Sequence, residues 1–497
     1  MPFRKEFIKL TKKGRIMSLT RRNFLKASVL ASTAAASPFL VPESAFGANE
    51  TIQVGVVGLG IRGTHSHVPA LSALPNVKVV ALADPDKPRM AAAAKWMQDK
   101  NYTHQVDHHE DFRTMYDRDD IQAVAIATMN YWHGLNTIWA CQAGKHVFVE
   151  KPLAHFIWEG RQMVNAARKY NRIVQHGTQL RSLGAVRDAR AWIQAGNLGK
   201  IKSITAYANK PRASIGNRTE PLPLPEGLNY DLWCGPAKDG PIFRDRLQYD
   251  CSFTWNMGDG ESLNQGVHQI DVARWVLDIE EMPRRVISLG GRFLFNDVGD
   301  VPNTQIIYYD YPETPILYEV HNLRVAKGSN DVLRFRGFSQ DGIVVDCEGG
   351  WVGIDHGARC IAFDKDNNRI QAWTSGGNNY ANFIDAVRAG DRKLLDSDVL
   401  EGQISTRIGH AGNISYRLGK KADVNTQKKA IEDYPLMVEM HDRFLKHIAA
   451  HDIDSSEAIL GEWLVCDTKH ECFVDNVEAN KLAKGFYRNP YIVEDFS

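Results

Sequence analysis

The stretch IQVGVVGLGIRG, residues Ile52 to Gly63, decides how the rest of the sequence is interpreted. It begins as an apolar run typical of a buried β-strand and ends in glycines spaced G-x-G-x-x-G. Gly58 permits a tight turn, Gly60 lets the backbone approach a pyrophosphate, and Gly63 lets the next helix pack closely. The stretch therefore predicts a dinucleotide-binding turn, although glycine-rich turns without a ligand can share this spacing.

A second apolar run, Val77 to Ala83, ends in an acidic residue, Asp84, about twenty residues past the last glycine. A carboxylate at the tip of the second strand can accept hydrogen bonds from an adenosine ribose. Its charge repels a 2′-phosphate, so the residue favours NAD over NADP. Arg89 is close enough in sequence to reduce that repulsion. Asp84 also suits a capping role before the helix that follows Pro85.

Length, charge and cysteine usage limit the classes of protein. The chain has 497 residues, so two domains are expected, and its net charge is +1 with acids and bases interspersed. Such a mixture lacks the basic patch that nucleic acid requires, which favours a small-molecule partner. The seven cysteines lack C-x-x-C or metal-ligand spacing, so we expect mainly free, buried thiols and no metal.

The N-terminus carries two adjacent arginines, Arg21 and Arg22, followed by an alanine- and serine-rich segment, Ala27 to Val41. The segment is too short and too weakly apolar to span a membrane, and the alternative is a basic amphipathic helix. The pattern resembles a twin-arginine export signal over residues 1–47. We therefore predict a bacterial, periplasmic or otherwise exported protein that uses the twin-arginine translocation machinery and has no membrane span in its mature chain. Because this route exports folded proteins, a tightly held cofactor is expected.

Strands alternate with helices up to His176, which predicts a doubly wound parallel sheet and an α/β Rossmann domain that binds NAD(P) over residues 48–177. Ligands gather outside the carboxyl ends of such strands. Thr128, Asn130 and the Glu150-Lys151-Pro152 run follow strand ends, so we place them in the cleft.

The apolar pattern changes to a period of two after Ile201, which predicts a large open, mostly antiparallel sheet with one face covered. The runs are Ile201 to Ala208, Val286 to Phe295, Gln305 to Tyr309, Ile316 to Val320, Val332 to Phe338 and Ile343 to Cys347. We assign residues 178–420 to an α+β domain for substrate binding and oligomerisation, and 421–497 to a helical extension. An uncovered sheet face predicts a homodimer or homotetramer.

A helix predicted over Ser262 to Leu277 places Asn264 and His268 on one side. Oxidising a secondary alcohol requires a base for the hydroxyl proton and a donor that holds the oxygen. His268 suits the first role, because neutral imidazole titrates near working pH, and Lys151 suits the second. From the residues alone, a lone histidine on a helix is more often a packed residue, and a lone lysine before proline is usually part of a turn.

Several motifs together resemble the Gfo/Idh/MocA family of glucose-fructose oxidoreductase and inositol dehydrogenase. They are the glycine turn, Asp84, the Ala143-Gly144-Lys145-His146-Val147 run leading into Glu150-Lys151-Pro152, and the Gly266-to-Asp271 helix, and the match covers roughly Thr51 to Lys420. The resemblance implies that Lys151 is catalytic and that His268 accepts or donates the proton.

The remaining site residues are assigned to the same cleft. Cofactor contacts are predicted at Gly58, Gly60, Ile61, Arg62, Gly63, Asp84, Thr128, Asn130, His133 and Glu150, and substrate contacts at Gln179, Arg181, Trp255 and Asn264. The family often has an aspartate where this chain has Asn264, which weakens any Asp-His relay. It also commonly has a Pro-Asp/Glu-His stretch where this chain has Met129 to His133, so His133 is either the family's histidine or a packing residue.

The resemblance implies an exported NAD(P)-dependent oxidoreductase that acts on a ring hydroxyl or keto carbon of a sugar, sugar derivative or cyclic polyol. Relatives in the family include glycosidases that use NAD transiently, through oxidation and elimination, and this is the alternative. A periplasmic binding or sensing protein that kept the fold is the third hypothesis.

Overall fold

The computed structural model describes residues 50–497 except Thr103 and Ala358, so the predicted signal at 1–47 lies outside the described residues. The chain first builds a six-stranded sheet in the order β3-β2-β1-β4-β5-β6. The strands are β1 Ile52–Val57, β2 Val77–Ala83, β3 Asp107–His109, β4 Ala123–Ile126, β5 His146–Val149 and β6 Val174–His176. Each neighbouring pair is parallel, which confirms the predicted doubly wound sheet. The order reverses at β1, so a ligand crevice opens where β1 and β4 end.

Helices cover both faces of this sheet, because its strands are apolar on both sides. They are α1 Val68–Ser72, α2 Lys87–Asp99, α3 Phe112–Tyr116, α4 Asn130–Gln142 and α5 Ile157–Lys169. A π-helical turn, Gly63–His67, precedes α1. Later helices are α6 Gly184–Gln194, α7 Tyr230–Cys234, α8 Glu261–Asn264, α9 Gly266–Val276, α10 Asn379–Ala389, α11 Val399–Leu418, α12 Val424–Ile431, α13 Pro435–Ala449 and α14 Val477–Lys484. Phe383 of α10 packs edge-on against Phe148, so α10 belongs to the first sheet's core.

The second sheet is large and mostly antiparallel, as predicted. Its strands are β7 Ile201–Ala208, β8 Arg285–Gly291, β9 Thr304–Asp310, β10 Ile316–His321, β11 Asp341–Cys347, β12 Gly350–Asp355, β13 Cys360–Asp364, β14 Arg369–Trp373, β15 Lys420–Lys421, β16 Ile459–Leu460, β17 Leu464–Asp467 and β18 Cys472–Phe473. The main path runs β14-β13-β12-β11-β7-β10-β9-β8-β16-β15, in which β7 and β10 are parallel. Apolar side chains of α6, α9 and α11 bury its inner face.

The outer face of this sheet is covered by the chain itself over β8, β9 and β10, where the prediction was an uncovered face. Met437, Met440 and Phe444 of α13 pack on Leu289 and Tyr308 of the sheet. Alternate residues of a strand point to opposite faces, so the apolar residues on both sides now have partners within one chain. The argument that an exposed apolar face requires a homo-oligomer therefore does not apply to this surface.

Two further sequence expectations are wrong. Val332 to Phe338 is not a strand: Arg336 and Gly337 have φ of 47° and 76°, and Phe338 turns inward onto the ring of Trp351. The extension after residue 421 is not purely helical either. Its strands β16 and β17 pair with β8, and β18 pairs with β17, because the edge of the sheet offers unpaired backbone groups.

No helix among the described residues is long and apolar enough to cross a membrane. All seven cysteines are free, and six of them are buried.

Candidate active site

The glycine turn has the shape that a pyrophosphate requires. Gly58 has φ of 85°, and a Cβ there would lie 2.6 Å from the Thr128 backbone nitrogen. A Cβ on Gly63 would lie 1.9 Å from the Gly58 carbonyl oxygen, whereas one on Gly60 would meet only Arg89 Nη1, at 4.0 Å. The first and third glycines therefore close the turn, and the second leaves its outer surface open. Ile61 is 81% exposed beside this surface.

Asp84 is buried against the same turn. Its Oδ2 accepts a hydrogen bond from the Leu59 N–H at 2.7 Å, and its Oδ1 accepts one from the Asp86 N–H at 2.9 Å. Burial raises the pKa of Asp84 to about 6, against the effect of these hydrogen bonds. A carboxylate has further lone pairs, so it can still accept from a ribose. Thr128 Oγ1 at the end of β4 is buried without a partner among the described residues, so the residues present fit an adenosine dinucleotide.

A segment that follows the first strand of the second sheet covers this crevice. The Lys87 N–H donates to the Gly227 carbonyl at 3.3 Å, and the Asn229 N–H donates to the Pro85 carbonyl at 2.9 Å. Trp233, which the sequence leaves between a sugar platform and a buried turn residue, is 4% exposed and lines the crevice with Gly58 and Asp84. Gly227 and Asn229 carry no motif, so sequence reasoning missed their covering role.

Glu150 anchors the start of the Glu-Lys-Pro run. Its Oε1 accepts from Arg62 Nε at 2.7 Å and lies 3.4 Å from His67 Nε2, and its Oε2 accepts from the Lys151 N–H at 3.2 Å. Burial alone would raise the pKa of Glu150, but His67 and Arg62 outweigh it and hold the pKa well below its usual range. The carboxylate is therefore ionised and joins the glycine turn to Lys151.

The Lys151 ammonium reaches across to the second domain. Nζ donates to the Asn264 carbonyl oxygen at 2.6 Å and lies 3.4 Å from Asn264 Oδ1. Burial lowers the pKa of Lys151, while Glu150 and Glu261 oppose that shift. An ammonium has three donors, so one remains for a reacting oxygen.

His268 lies beside this ammonium and is 2% exposed. Its Nδ1 is buried without a hydrogen-bond partner among the described residues. Burial lowers the pKa of His268 well below 6.5, and the charges of His356 and Lys151 lower it further. The predicted helix is broken at Gln265, between α8 and α9, so Asn264 and His268 reach the site from two helices rather than from one face of one helix.

A second imidazole, His356, completes the cluster, and its ring centroid lies 4.9 Å from that of His268. Its Nε2 lies 3.3 Å from Gln179 Nε2, and its Nδ1 lies 3.4 Å from Gln265 Nε2. His356 follows β12 in a turn without any motif, so the sequence contained no signal for it.

Charged residues that the sequence did not single out surround the cluster. Lys210 contacts Gln265 Oε1 at 2.9 Å and Asp341 at 3.0 Å. Arg212 forms a two-pronged ion pair with Glu261, at 2.6 and 3.0 Å. Such a rim offers the donors and acceptors that a polyhydroxylated ligand needs.

The structure brings Gln179 and Asn264 to this cluster, but it gives other predicted residues different partners. Arg181 is buried and ion-paired with Asp271 through Nε and with Glu401 through Nη2, at 2.8 and 3.0 Å. The nitrogens of His133 face the carbonyls of Pro152 and Thr128, at 2.7 and 3.1 Å.

Asn130 and Trp255 also have partners outside the cluster. Asn130 donates to Asp259 at 2.8 Å, and the Trp255 ring stacks under Arg417 in a separate cavity. Within the described chain, no group of three or more His, Cys, Asp or Glu side chains could hold a metal.

Residues 52–178 match the family described as "Oxidoreductase family, NAD-binding Rossmann fold" (GFO_IDH_MocA). A levoglucosan dehydrogenase from Pseudarthrobacter phenanthrenivorans is 34% identical over 163 residues, which are 31% of this chain and 40% of that protein. A glycosyl hydrolase family 109 protein from Saccharopolyspora erythraea is 32% identical over 131 residues, 26% of this chain and 28% of that protein. The chain thus matches less than half the length of these relatives.

The overall fold extends further than this sequence similarity. The crystal structure of the WlbA dehydrogenase from Bordetella pertussis, in complex with NADH and UDP-GlcNAcA, superposes with a TM-score of 0.54 at 20% identity. The superposition covers 74% of this chain and 97% of that one, which supports a shared two-domain fold. Residues 52–178 therefore form a Rossmann domain that is similar to the NAD-binding domain of the Gfo/Idh/MocA oxidoreductase family.

Proposed function

We propose that the protein is an NAD-dependent oxidoreductase that acts on a ring hydroxyl or keto carbon of a sugar, sugar derivative or cyclic polyol. The observation that carries this proposal is the buried pair of Lys151 and His268: the charge of Lys151 lowers the pKa of His268, whose Nδ1 has no partner among the described residues, and Glu150 joins Lys151 to the glycine turn. The turn and Asp84 would hold NAD, which supplies the hydride acceptor when bound.

The side chains divide the proton chemistry between them. His268 is kept neutral by burial and by the adjacent cations, so it can accept a hydroxyl proton. Lys151 donates to the reacting oxygen and stabilises negative charge there. Asn264 fixes the direction of the ammonium, and Glu150 fixes the strand end from which the lysine projects.

We also propose that the cofactor is held tightly. The support is the covering segment: residues 227 and 229 are hydrogen-bonded to the loop after Asp84, so adenosine release requires these contacts to open. Retention suits a protein used where free NAD is scarce, and the twin-arginine pattern at Arg21 and Arg22 predicts such an exported location. Replacing both arginines with lysine should keep the protein in the cytoplasm, which cell fractionation measures.

The direct test is to purify the mature protein, identify any bound nucleotide by mass spectrometry, and screen sugars and polyols by nicotinamide absorbance. We expect bound NAD and a substrate among neutral ring polyols or sugars. Nucleotide-free protein that neither binds NAD nor turns over any such compound would overturn the proposal.

A glycosidase that oxidises its substrate transiently is the second candidate, and His356 favours it. Elimination after oxidation removes a proton from carbon next to the new carbonyl, which requires a second base, and His356 lies beside His268. Release of an aglycone without net NADH formation would favour this candidate. In that case His356→Gln should abolish aglycone release, while the first oxidation should remain measurable as a single turnover.

The predicted homodimer or homotetramer would have to use a surface other than the covered outer face of the second sheet. Size-exclusion chromatography with light scattering at micromolar concentration measures the state directly.

A further inference from the structure

A second cavity of about 380 Å³ lies apart from the Lys151 cluster. It is enclosed by the start of α5, the segment around Trp255, the end of α11 and the chain after α14. No residue that lines it belongs to the group of Lys151, His268 and His356. Its size is sufficient for a ligand of the order of a monosaccharide.

The cavity contains an arginine, Arg417, that forms no ion pair with any described residue, although Asp300 also lines the cavity. The Arg417 guanidinium stacks on the Trp255 ring at 5.0 Å, and it makes no hydrogen bond or ion pair with any described residue. Burial lowers the pKa of Arg417, while Asp259 and Asp300 raise it. A partly buried guanidinium needs acceptors for its donors, and its planar fork matches a carboxylate or phosphate best.

A buried imidazole supplies a second donor. His155 is 4% exposed and lines the cavity, and its Nδ1 lies 2.8 Å from Asp259 Oδ1. Its Nε2 is buried without a partner among the described residues. Burial lowers the pKa of His155, but Asp259 outweighs this and raises the pKa above its usual range, which favours the protonated ring. Asp259 also accepts from Asn130 at 2.8 Å, which joins the cavity to the first turn of α4.

The aromatic side chains that line the cavity suit a ligand with a compact ring and apolar ring faces. Phe156 and Trp255 come from the body of the protein, and Phe486 and Tyr487 come from the extension. Glu159 lies among them, and burial raises the pKa of its carboxyl to about 7. Aromatic faces pack against the C–H faces of sugar rings, while the carboxyl can bond a hydroxyl.

We propose that this cavity binds a sugar-sized anion, a sugar acid or a sugar phosphate, with its anionic group on Arg417 and His155 and its ring between the aromatic walls. The site is separate from the redox site and does not depend on the proposed redox activity. It also gives the extension after residue 421 a role, because Phe486 and Tyr487 close the cavity.

Isothermal titration of the purified full chain tests the proposal, with D-glucuronate and glucose 6-phosphate as probes and glucose as the neutral control. We expect saturable binding of at least one anion, and Arg417→Gln should weaken it by at least about tenfold. Arg369→Gln, which changes an exposed arginine on β14, is the matched control and should leave the affinity unchanged.

The location of the bound probe distinguishes the sites. Lys151→Met should bind the anion as the unchanged protein does. Loss of binding in Lys151→Met with full binding in Arg417→Gln would place the anion at the redox site and overturn the proposal. Absence of saturable binding by both probes at millimolar concentration, with the fold intact by circular dichroism, would overturn it as well.

Discussion

Two buried histidines, His268 and His155, show how the pKa of the same side chain is shifted in opposite directions in one molecule. Both are almost fully enclosed, with exposures of 2% and 4%. His268 lies beside Lys151 and His356, and its pKa is lowered by burial and by those charges. His155 bonds to Asp259, and that carboxylate outweighs burial and raises its pKa. Burial disfavours the protonated form of both imidazoles. The sign of the nearest charge then decides whether the ring suits the role of a proton-accepting base or that of a donor to an anion.

The largest effect is expected when the Lys151 ammonium near His268 is removed. Lys151→Met should lower kcat by about 10³- to 10⁴-fold, because both the donor to the reacting oxygen and its charge stabilisation are lost. The bound nucleotide should remain, since Lys151 lies outside the adenosine crevice. Steady-state kinetics and nucleotide content measure the two effects, and Lys393→Met on the surface is the control. Unchanged turnover would remove Lys151 from the catalytic role.

A third buried imidazole, His447, tests the comparison through stability. Its Nδ1 lies 2.9 Å from His321 Nδ1, and burial together with His321 lowers its pKa to about 4. Between about pH 6.5 and pH 4 the unfolded chain therefore binds more protons than the folded chain, so stability falls as the pH falls, by on the order of 3 kcal/mol at most.

Urea unfolding at pH 7 and at pH 4.5 measures that loss. His447→Gln should reduce the difference between the two values, whereas His108→Gln, at an exposed site, should not. An identical pH dependence in the His447 variant would show that this imidazole does not set the acid stability.

The substitution Asp259→Asn removes the negative charge that is hydrogen-bonded to His155. Without it, the pKa of His155 should fall, as for His268, and the affinity for D-glucuronate at pH 7 should drop by about tenfold. Titration calorimetry measures the change, with Asp346→Asn on the surface as the control. Undiminished affinity with a folded protein would show that the charge of His155 does not contribute to binding.

The smallest effect is expected at His356, whose charge lowers the pKa of His268. His356→Gln should raise the pKa of His268, so the acid limb of the kcat/KM profile should move to higher pH, while activity near pH 7 should change little. A profile with an unmoved acid limb would show that the two imidazoles titrate independently.

The sequence predicted the parallel sheet and the glycine turn because both depend on local rules. An apolar strand followed by G-x-G-x-x-G needs no distant partner to define its conformation. Lys151 and His268 were singled out only with the help of the family resemblance, since a lone lysine and a lone histidine have no local signature. His356, Arg212 and Arg417 were missed because they are ordinary in their own neighbourhoods and matter only through residues distant in the chain.

Errors in the predicted second domain have the same origin. The pattern over Val332 to Phe338 suits a strand, but the aromatic residues bury themselves on the outer face of the sheet instead. The period-two strands predicted an open face, yet Phe444 of α13 covers it from more than a hundred residues away. Periodicity shows which side chains need burial, and it does not show what buries them.

The sequence by itself determined the Rossmann domain, the acidic residue at the tip of its second strand, Asp84, and the position of the lysine in the Glu-Lys-Pro run. Only the tertiary structure decided which histidine has a lowered pKa and which has a raised one, which arginine is paired and which is left for a ligand, and which sheet face is closed. The physical reason is that strand pattern and turn geometry depend on neighbours along the chain, whereas the energy of a charge depends on every group around it in space.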